Sequence, residues 1–242
     1  MLTNLFDKQN LIIMLLRLPC ILLAISVHES AHGWAAEKLG DPTARNMGRI
    51  SLNPMRHFNP IGALFMLLFG FGWAEPVPVQ VSNFKNPKRD MALSAIAGPI
   101  SNLILMLIGG LCYRFSFLAF RGLGWLTEMN GSLYYTELGQ GRIPGLVMEV
   151  LPLFFIVFIT LNASLAVFNL LPIPPLDGSR LLTAFLPLDK YYQVMQYERY
   201  IMIALMVLVF TGSFTGILSA VTGALMDGMN LILDLIPLLR IG

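Results

Sequence analysis

The sequence reads Val27-His28-Glu29-Ser30-Ala31-His32-Gly33 inside an apolar stretch that extends from about residue 10 to residue 38. A stretch of this length predicts a helix that can cross a membrane, since about 20 apolar residues span the hydrocarbon core. An ionisable side chain at that depth costs about 2.5–3.5 kcal/mol on insertion scales. Three of them within one turn therefore indicate a polar site rather than ordinary helix packing.

The composition of the whole chain favours a membrane protein. Its 242 residues are 56% hydrophobic and 12% charged, with a mean hydropathy of +0.69, whereas soluble domains average about 45–50% apolar and 25% charged residues. We therefore expect an all-α polytopic membrane protein with about six hydrophobic helices in a single domain, 1–242. The apolar stretches lie at about 10–38, 60–73, 91–114, 145–171, 198–217 and 218–238. The second is short for a full crossing, so whether residues 60–73 span the membrane stays open.

Charge and cysteine content argue against two other classes of protein. The net charge is only +2, and Lys and Arg form no tail or stripe, so a nucleic-acid partner is not expected. Cys20 and Cys112 lie in apolar stretches without Cys-x-x-Cys or Cys/His spacing. Neither a disulfide framework nor a cysteine metal site is indicated.

Two segments between the apolar stretches predict a small β-ribbon near the His28–His32 motif. Residues 48–52 alternate apolar and polar side chains between turn signals, and residues 75–81 carry valine at alternate positions. Pro76 and Pro78 would confine the second segment to the edge of such a ribbon.

The spacing of the two histidines predicts a metal site. Residues four apart lie on one face of a helix, so His28 and His32 can turn an imidazole nitrogen toward the same ion. In a helical H-E-x-x-H, the glutamate is placed to accept a proton from a water and pass it to the leaving amine. Glu29 is therefore the candidate catalytic base for hydrolysis of a peptide bond.

A catalytic zinc ion usually has three protein ligands. The remaining histidine is His57, and several acidic residues lie within or beside apolar stretches, namely Glu149, Asp177, Asp227 and Asp234. Asp177 follows three prolines that must break a helix, and a broken helix within a membrane is tolerated where it lines a polar cavity. Alternatively, Asp177 caps the helix that follows it.

The H-E-x-x-H at 28–32, taken with N-x-x-P-x-x-x-x-D-G at 169–178, resembles the site-2 protease family, the intramembrane zinc metalloproteases of peptidase family M50. The resemblance implies one zinc ion, with His28, His32 and Asp177 as its ligands. Gly98-Pro99-Ile100-Ser101-Asn102 resembles a G-P-x-x-N segment of the family, which would place Asn102 near the active site. Since no inserted PDZ domain is visible, the chain resembles the compact members.

Two asparagines are further candidates for the site. Asn102 and Asn169 could bind the substrate backbone or the oxyanion, although asparagine in membrane helices often only links neighbouring helices. His57 is interpreted as a loop or interface residue rather than a ligand, because two histidines and one aspartate complete a common zinc set.

The resemblance implies a multi-pass protein of the prokaryotic cell membrane that acts on transmembrane proteins within the lipid bilayer. It would hydrolyse peptide bonds in or near their transmembrane segments, as in regulated intramembrane proteolysis. A metal or ion transporter is the main alternative, because broken helices and carboxylates at the midplane also occur there. Glu29 discriminates between the two, since a transporter needs ligands but no base. A catalytically silent scaffold is the second alternative.

Overall fold

The computed structural model describes residues 8–69, 73–129, 132–213 and 215–239, which are mostly helical. The helices and strands are, in chain order, α1 (Lys8–Lys38), α2 (Thr43–Asn46), α3 (Pro60–Phe69), α4 (Pro87–Gly122), β1 (Leu126–Met129), β2 (Ser132–Tyr135), α5 (Arg142–Asn169), α6 (Asp177–Leu181), α7 (Leu188–Met195), α8 (Glu198–Phe210) and α9 (Thr215–Asp234). Short 3-10 turns lie at Pro54–Arg56, Val81–Asn83, Leu182–Ala184 and Pro237–Leu239.

Four helices are long and apolar enough to cross a membrane, so the predicted helical membrane fold is confirmed. Among the described residues they cover Leu11–Lys38, Pro87–Gly122, Arg142–Asn169 and Thr215–Asp234. The predicted number of about six includes two shorter helices. Helix α3 has 10 residues and α8 has 13, which corresponds to about 15 and 20 Å at 1.5 Å per residue, against a hydrocarbon core of about 30 Å. Residues 70–72 of the predicted second stretch lie outside the described residues.

The boundary between the last two helices differs from the prediction of 217/218. Helix α8 ends at Phe210 and α9 begins at Thr215. Gly212 lies between them with a φ of +75°, a conformation that glycine adopts without steric cost. Thr211, Gly212 and Ser213 in this turn are small and carry no charge, so hydropathy alone places the break too late.

Helices α1, α4 and α5 form the centre of the bundle, and α9 packs against α4 and α5. Two glycines of α4 allow this close approach. A Cβ atom at Gly109 would lie 2.9 Å from Phe158, and one at Gly110 would lie 2.7 Å from Met229. Small residues at helix contacts are typical of membrane proteins, where packing rather than the hydrophobic effect holds helices together.

The predicted small ribbon exists, but other residues form it. Strands β1 and β2 pair antiparallel, with Leu126 opposite Tyr135. They follow the end of α4 at Gly122, about 30 Å along that helix from Asn102 at 1.5 Å per residue, so the ribbon is not beside the H-E-x-x-H motif.

The segments that were expected to pair are not strands in the structure. Pro76 and Pro78 have no N–H to donate, and the amides near them bind groups outside any ladder. Glu75 N donates to His57 O, and Val77 N donates to a carboxylate oxygen of Glu29.

A buried carboxylate fixes the segment around residue 80 to the loop after α1. Asp41 is fully buried and accepts hydrogen bonds from Thr43 N, from the Thr43 hydroxyl, from Gln80 N at 2.7 Å and from Asn83 Nδ2 at 2.8 Å. Gln80 and Asn83 come from the far end of the segment that contains Val77. Asp41 therefore holds this segment beside the helix that carries the motif.

We expect Asp41 to make the free energy of unfolding depend on pH in the acidic range. Burial alone would raise the pKa of Asp41, but hydrogen bonds from Thr43, Asn83 and Gln80 hold that pKa below its usual range. A carboxyl group of this kind stabilises the fold above its unfolded pKa of about 3.9, and this stabilisation is lost as the pH falls toward the folded pKa. Asp41→Asn should therefore lower the free energy of unfolding at pH 7 by about 1.5–3 kcal/mol.

Unfolding in detergent micelles at pH 7 and at pH 3 tests this expectation. The difference between wild type and Asp41→Asn should shrink at the lower pH, whereas Glu137→Gln, at an exposed position, should behave as wild type at both. A difference that is equal at the two pH values would contradict the assignment.

Candidate metal centre and active site

Three side chains from two distant parts of the chain meet at one point. His28 and His32 lie one turn apart on α1, and their Nε2 atoms are 3.1 Å apart. The Oδ2 atom of Asp177 lies 3.0 Å from His28 Nε2 and 3.1 Å from His32 Nε2. Both histidines are buried, and the aspartate side chain is 13% exposed. The three atoms form a nearly equilateral triangle.

The hydrogen bonds of the two Nδ1 atoms determine whether each Nε2 atom carries a proton or a free lone pair. His32 Nδ1 lies 2.8 Å from the carbonyl oxygen of Ser94, which can only accept, so Nδ1 carries the proton. His28 Nδ1 lies 2.6 Å from Oδ1 of Asn102, another acceptor. In the neutral rings both Nε2 atoms then present lone pairs to each other and to a carboxylate oxygen. Three acceptors converging on one point are able to hold a cation between them.

The triangle fits a zinc ion. Four ligands at about 2.0–2.1 Å in a tetrahedron are about 3.3 Å from one another, which is close to the 3.0–3.1 Å observed here. Two imidazoles and one carboxylate are a common ligand set for catalytic zinc, which keeps a fourth position for water. His28, His32 and Asp177 could therefore hold one zinc ion.

The break after α5 places Asp177 at this point. Helix α5 ends at Asn169, and a series of tight turns leads to α6, which begins at Asp177. A Cβ atom at Gly178 would lie 2.3 Å from Leu170 O and 2.4 Å from Leu171 O. Only glycine therefore fits at this position, where the chain turns back against the end of α5. The hydrogen bonds of the Asp177 side chain go to His28 and His32 and not to amides of its own helix, in contrast to the alternative interpretation of this residue. Its Oδ2 atom faces the histidines instead.

Glu29 lies next to His28 on α1 and is partly exposed. Its Oε2 atom accepts a hydrogen bond of 2.9 Å from Val77 N, which fixes the carboxylate on the side of the helix that the 73–80 segment covers. Ser30 holds the other neighbouring loop, since its hydroxyl donates to Ser51 O at 2.8 Å and accepts from Ser51 N. The base candidate is thus placed by one backbone amide, that of Val77.

The structure brings Asn102 to the centre but not Asn169. Asn102 is fully buried with both ends of its amide bound within the protein, so its position favours support of His28 over contact with a substrate. Asn169 Nδ2 donates to Leu165 O of its own helix. His57 is buried, and its Nε2 lies 2.8 Å from Ser51 O. It does not belong to the His28, His32 and Asp177 group among the described residues.

Sequence reasoning missed a steric requirement at Gly98. A Cβ atom there would lie 2.4 Å from His32 Nε2 and 2.7 Å from His28 Cε1. Helix α4 therefore lies against the two histidines at Gly98, where there is no room for a side chain. The G-P-x-x-N segment contained the glycine, but only the three-dimensional packing shows what the glycine does.

Comparison with known proteins agrees with this geometry. The model of Peptidase family M50 matches residues 17–212. YwhC of Bacillus subtilis (strain 168), a protein with a zinc metalloprotease name, is 39% identical over 191 residues, which is 79% of this chain and 78% of that protein. Rip2 of Mycolicibacterium smegmatis (strain ATCC 700084 / mc(2)155), which also has a zinc metalloprotease name, is 26% identical over 65% of this chain and 52% of its own length. No solved structure matches the chain with significance.

The family match covers most of the chain, including all three residues of the candidate metal centre. It also includes two of the four helices that are able to cross a membrane in full, Pro87–Gly122 and Arg142–Asn169, and most of a third, Leu11–Lys38. The chain belongs to peptidase family M50 and is a membrane zinc metalloprotease.

Proposed function

We propose that this protein is an intramembrane zinc metalloendopeptidase that hydrolyses peptide bonds in or near transmembrane segments of other membrane proteins. His28, His32 and Asp177 are the ligands of one zinc ion, and the neighbouring Glu29 is the general base. The observation that carries the proposal is the convergence of three metal-ligand atoms, two of which belong to a helix that can cross a membrane.

The depth of the site supports cleavage within the membrane. His28 lies ten residues before the end of α1 at Lys38, or about 15 Å along the helix. Asn102, its partner on α4, lies 15 residues after the start of that helix at Pro87. Both positions are well inside apolar helices, so a bond cleaved here would belong to a segment that enters the lipid. We further propose a multi-pass protein of the prokaryotic cell membrane.

The residues supply the chemistry of peptide hydrolysis. Bound zinc would supply a Lewis acid that polarises the scissile carbonyl and makes water acidic near neutral pH. Glu29 takes a proton from the attacking water as its oxygen adds to the carbonyl carbon, and returns it to the amine as the carbon–nitrogen bond breaks. The two histidines stay fixed during this exchange because Asn102 and Ser94 of α4 hold their Nδ1 atoms.

The substrate must present an extended segment. In an intact helix the carbonyl groups are engaged in hydrogen bonds and shielded by side chains, so the scissile bond is accessible only after local unwinding. Substrates with a helix-breaking residue in the transmembrane segment should therefore be cleaved faster than matched substrates without one.

Cleavage in liposomes tests the proposal. The protein is reconstituted with a single-span substrate, and mass spectrometry locates the cut. We expect a cut within or next to the apolar segment, no cut after zinc chelation, and faster cleavage when a Leu in the segment is replaced by Pro. Cuts confined to the water-exposed parts of the substrate, or cleavage that persists in chelator, would contradict it.

A metal or ion transporter remains the second candidate, because His28, His32 and Asp177 alone could bind a transported ion. The hydrogen bond that orients Glu29 favours the peptidase, since a transport site needs no positioned base. Ion flux into the same liposomes, unaffected by Glu29→Gln, would favour transport.

A further inference from the structure

A row of buried amides extends from the metal centre across the bundle. Asn102 of α4 and Asn162 of α5 are both fully buried. His28 Nδ1 lies 2.6 Å from Asn102 Oδ1, Asn102 Nδ2 donates to Asn162 Oδ1 at 2.9 Å, and Asn162 Nδ2 donates to Phe158 O at 2.9 Å. Three helices are thereby connected through side chains alone.

The carbonyl oxygen of Phe158, at the end of this row, determines how the two amide groups are oriented. A backbone carbonyl such as Phe158 O can only accept, so Asn162 must turn its Nδ2 toward that oxygen and its Oδ1 toward Asn102. Asn102 must then turn Nδ2 toward Asn162, which leaves its Oδ1 for His28. If Asn162 were flipped, two oxygens would face each other at one end of the row and two amino groups at the other.

The direction of the row decides which nitrogen of His28 carries the proton. With Asn102 Oδ1 beside it, Nδ1 is the donor, and Nε2 keeps the lone pair that a metal requires. If Asn102 turned its amino group toward the ring, the other tautomer would be favoured, with the proton on Nε2 at the metal position.

The tautomer of His32 does not depend on the orientation of a side-chain amide. Its Nδ1 faces the backbone oxygen of Ser94, which cannot reverse its role. One of the two histidines is therefore oriented by the backbone, whereas the other depends on two side-chain amides that could flip. This asymmetry makes His28 the ligand that a distant substitution can disturb.

From this geometry we propose that Asn162 is a positioning residue that acts through Asn102 to hold His28 in the tautomer that binds metal. The inference rests on the proposed zinc centre and adds to it a residue that touches neither metal nor substrate. A purely structural alternative is that Asn162 only links α4 to α5, as asparagines in membrane helices often do.

Zinc affinity and the tautomer of His28 test the proposal without any measurement of cleavage. Competition with a chromophoric chelator gives the zinc dissociation constant. Long-range ¹⁵N spectra of histidine-labelled protein without metal report which nitrogen is protonated, and the chain has only three histidines to assign. We expect Asn162→Leu to weaken zinc binding by about 10- to 100-fold, the usual effect of losing a group behind a ligand, and to populate the second tautomer of His28 but not of His32.

Two further variants distinguish positioning from helix linking. At this fully buried position Asn162→Asp is protonated, so it can donate its O–H to Phe158 O and accept from Asn102 through its other oxygen, and it should stay within about threefold of wild type in affinity. In an Asn102→Asp background, where both carboxylate oxygens can accept from His28, adding Asn162→Leu should cost less than about threefold because the flip no longer matters. Ser116→Ala removes a buried hydrogen bond on α4 away from the centre and serves as the control for general destabilisation.

Wild-type affinity and an unchanged His28 spectrum in Asn162→Leu would overturn the proposal. An equal loss of zinc affinity from Asn162→Leu in the wild-type and Asn102→Asp backgrounds would also overturn the proposal. If the leucine variant does not fold, Asn162→Ser is measured in its place, since the shorter side chain also removes the acceptor. A failure of proteolysis would leave these results intact, so the two proposals can fail separately.

Discussion

Glu29→Gln is expected to reduce cleavage of a transmembrane substrate by about 10²- to 10⁴-fold, the typical contribution of a general base. The amide has nearly the same shape as the carboxylate but cannot take a proton from water. Its oxygen can still accept the hydrogen bond from Val77 N, so the side chain should keep its place. Zinc content should stay at the wild-type level because Glu29 is outside the ligand group.

Initial cleavage rates and zinc content of the same preparations are the measurements for this prediction. Glu37→Gln is the matched control, since Glu37 lies two turns further along α1 and pairs with Arg45 away from the centre. It should cleave at nearly the wild-type rate. Cleavage by Glu29→Gln at that rate would remove Glu29 from the mechanism, whereas loss of its zinc would assign it a structural role.

Gly98→Ala is expected to disrupt the metal centre from the opposite helix. The added methyl group would lie 2.4 Å from His32 Nε2 and 2.7 Å from His28 Cε1, well inside the separation of about 3.5–4.0 Å at which such atoms rest. The two rings must turn away from their common point. Zinc affinity should fall by more than about 100-fold, beyond the usual effect of changes behind a ligand.

Alanine favours helix formation over glycine by about 1 kcal/mol, so a loss of zinc in Gly98→Ala cannot be attributed to a weaker helix. Gly122→Ala is the matched control on α4, because a Cβ atom there would meet nothing within 4 Å. Dissociation constants for zinc and circular dichroism of both variants are to be compared. Wild-type affinity in Gly98→Ala would mean that α4 does not approach the histidines as closely as described.

The parts of the centre that depend on local spacing could be predicted from the sequence. His28 and His32 share a helix face because they are four residues apart, and Asp177 follows a run of prolines that must end a helix. Similarly, apolar stretches of sufficient length predicted the four helices that can cross a membrane.

The parts that depend on contacts between distant elements could not be predicted. Asn162 has no special spacing, and its role appears only when α5 lies beside Asn102. The sequence does not show that Gly98 must be glycine, because this requirement comes from its contact with the rings of His28 and His32. The ribbon was assigned to the wrong residues because alternation at 75–81 resembles a strand, although those amides bind Glu29 and other groups instead.

Zinc titration of metal-free protein, with cleavage of the transmembrane substrate as the readout, tests the central claim most directly. Metal-free wild type should be inactive, and activity should rise linearly and level off at one zinc ion per chain. Asp177→Ala should remain inactive at that ratio. Cleavage by the metal-free protein, or full activity of Asp177→Ala at one equivalent of zinc, would contradict the account.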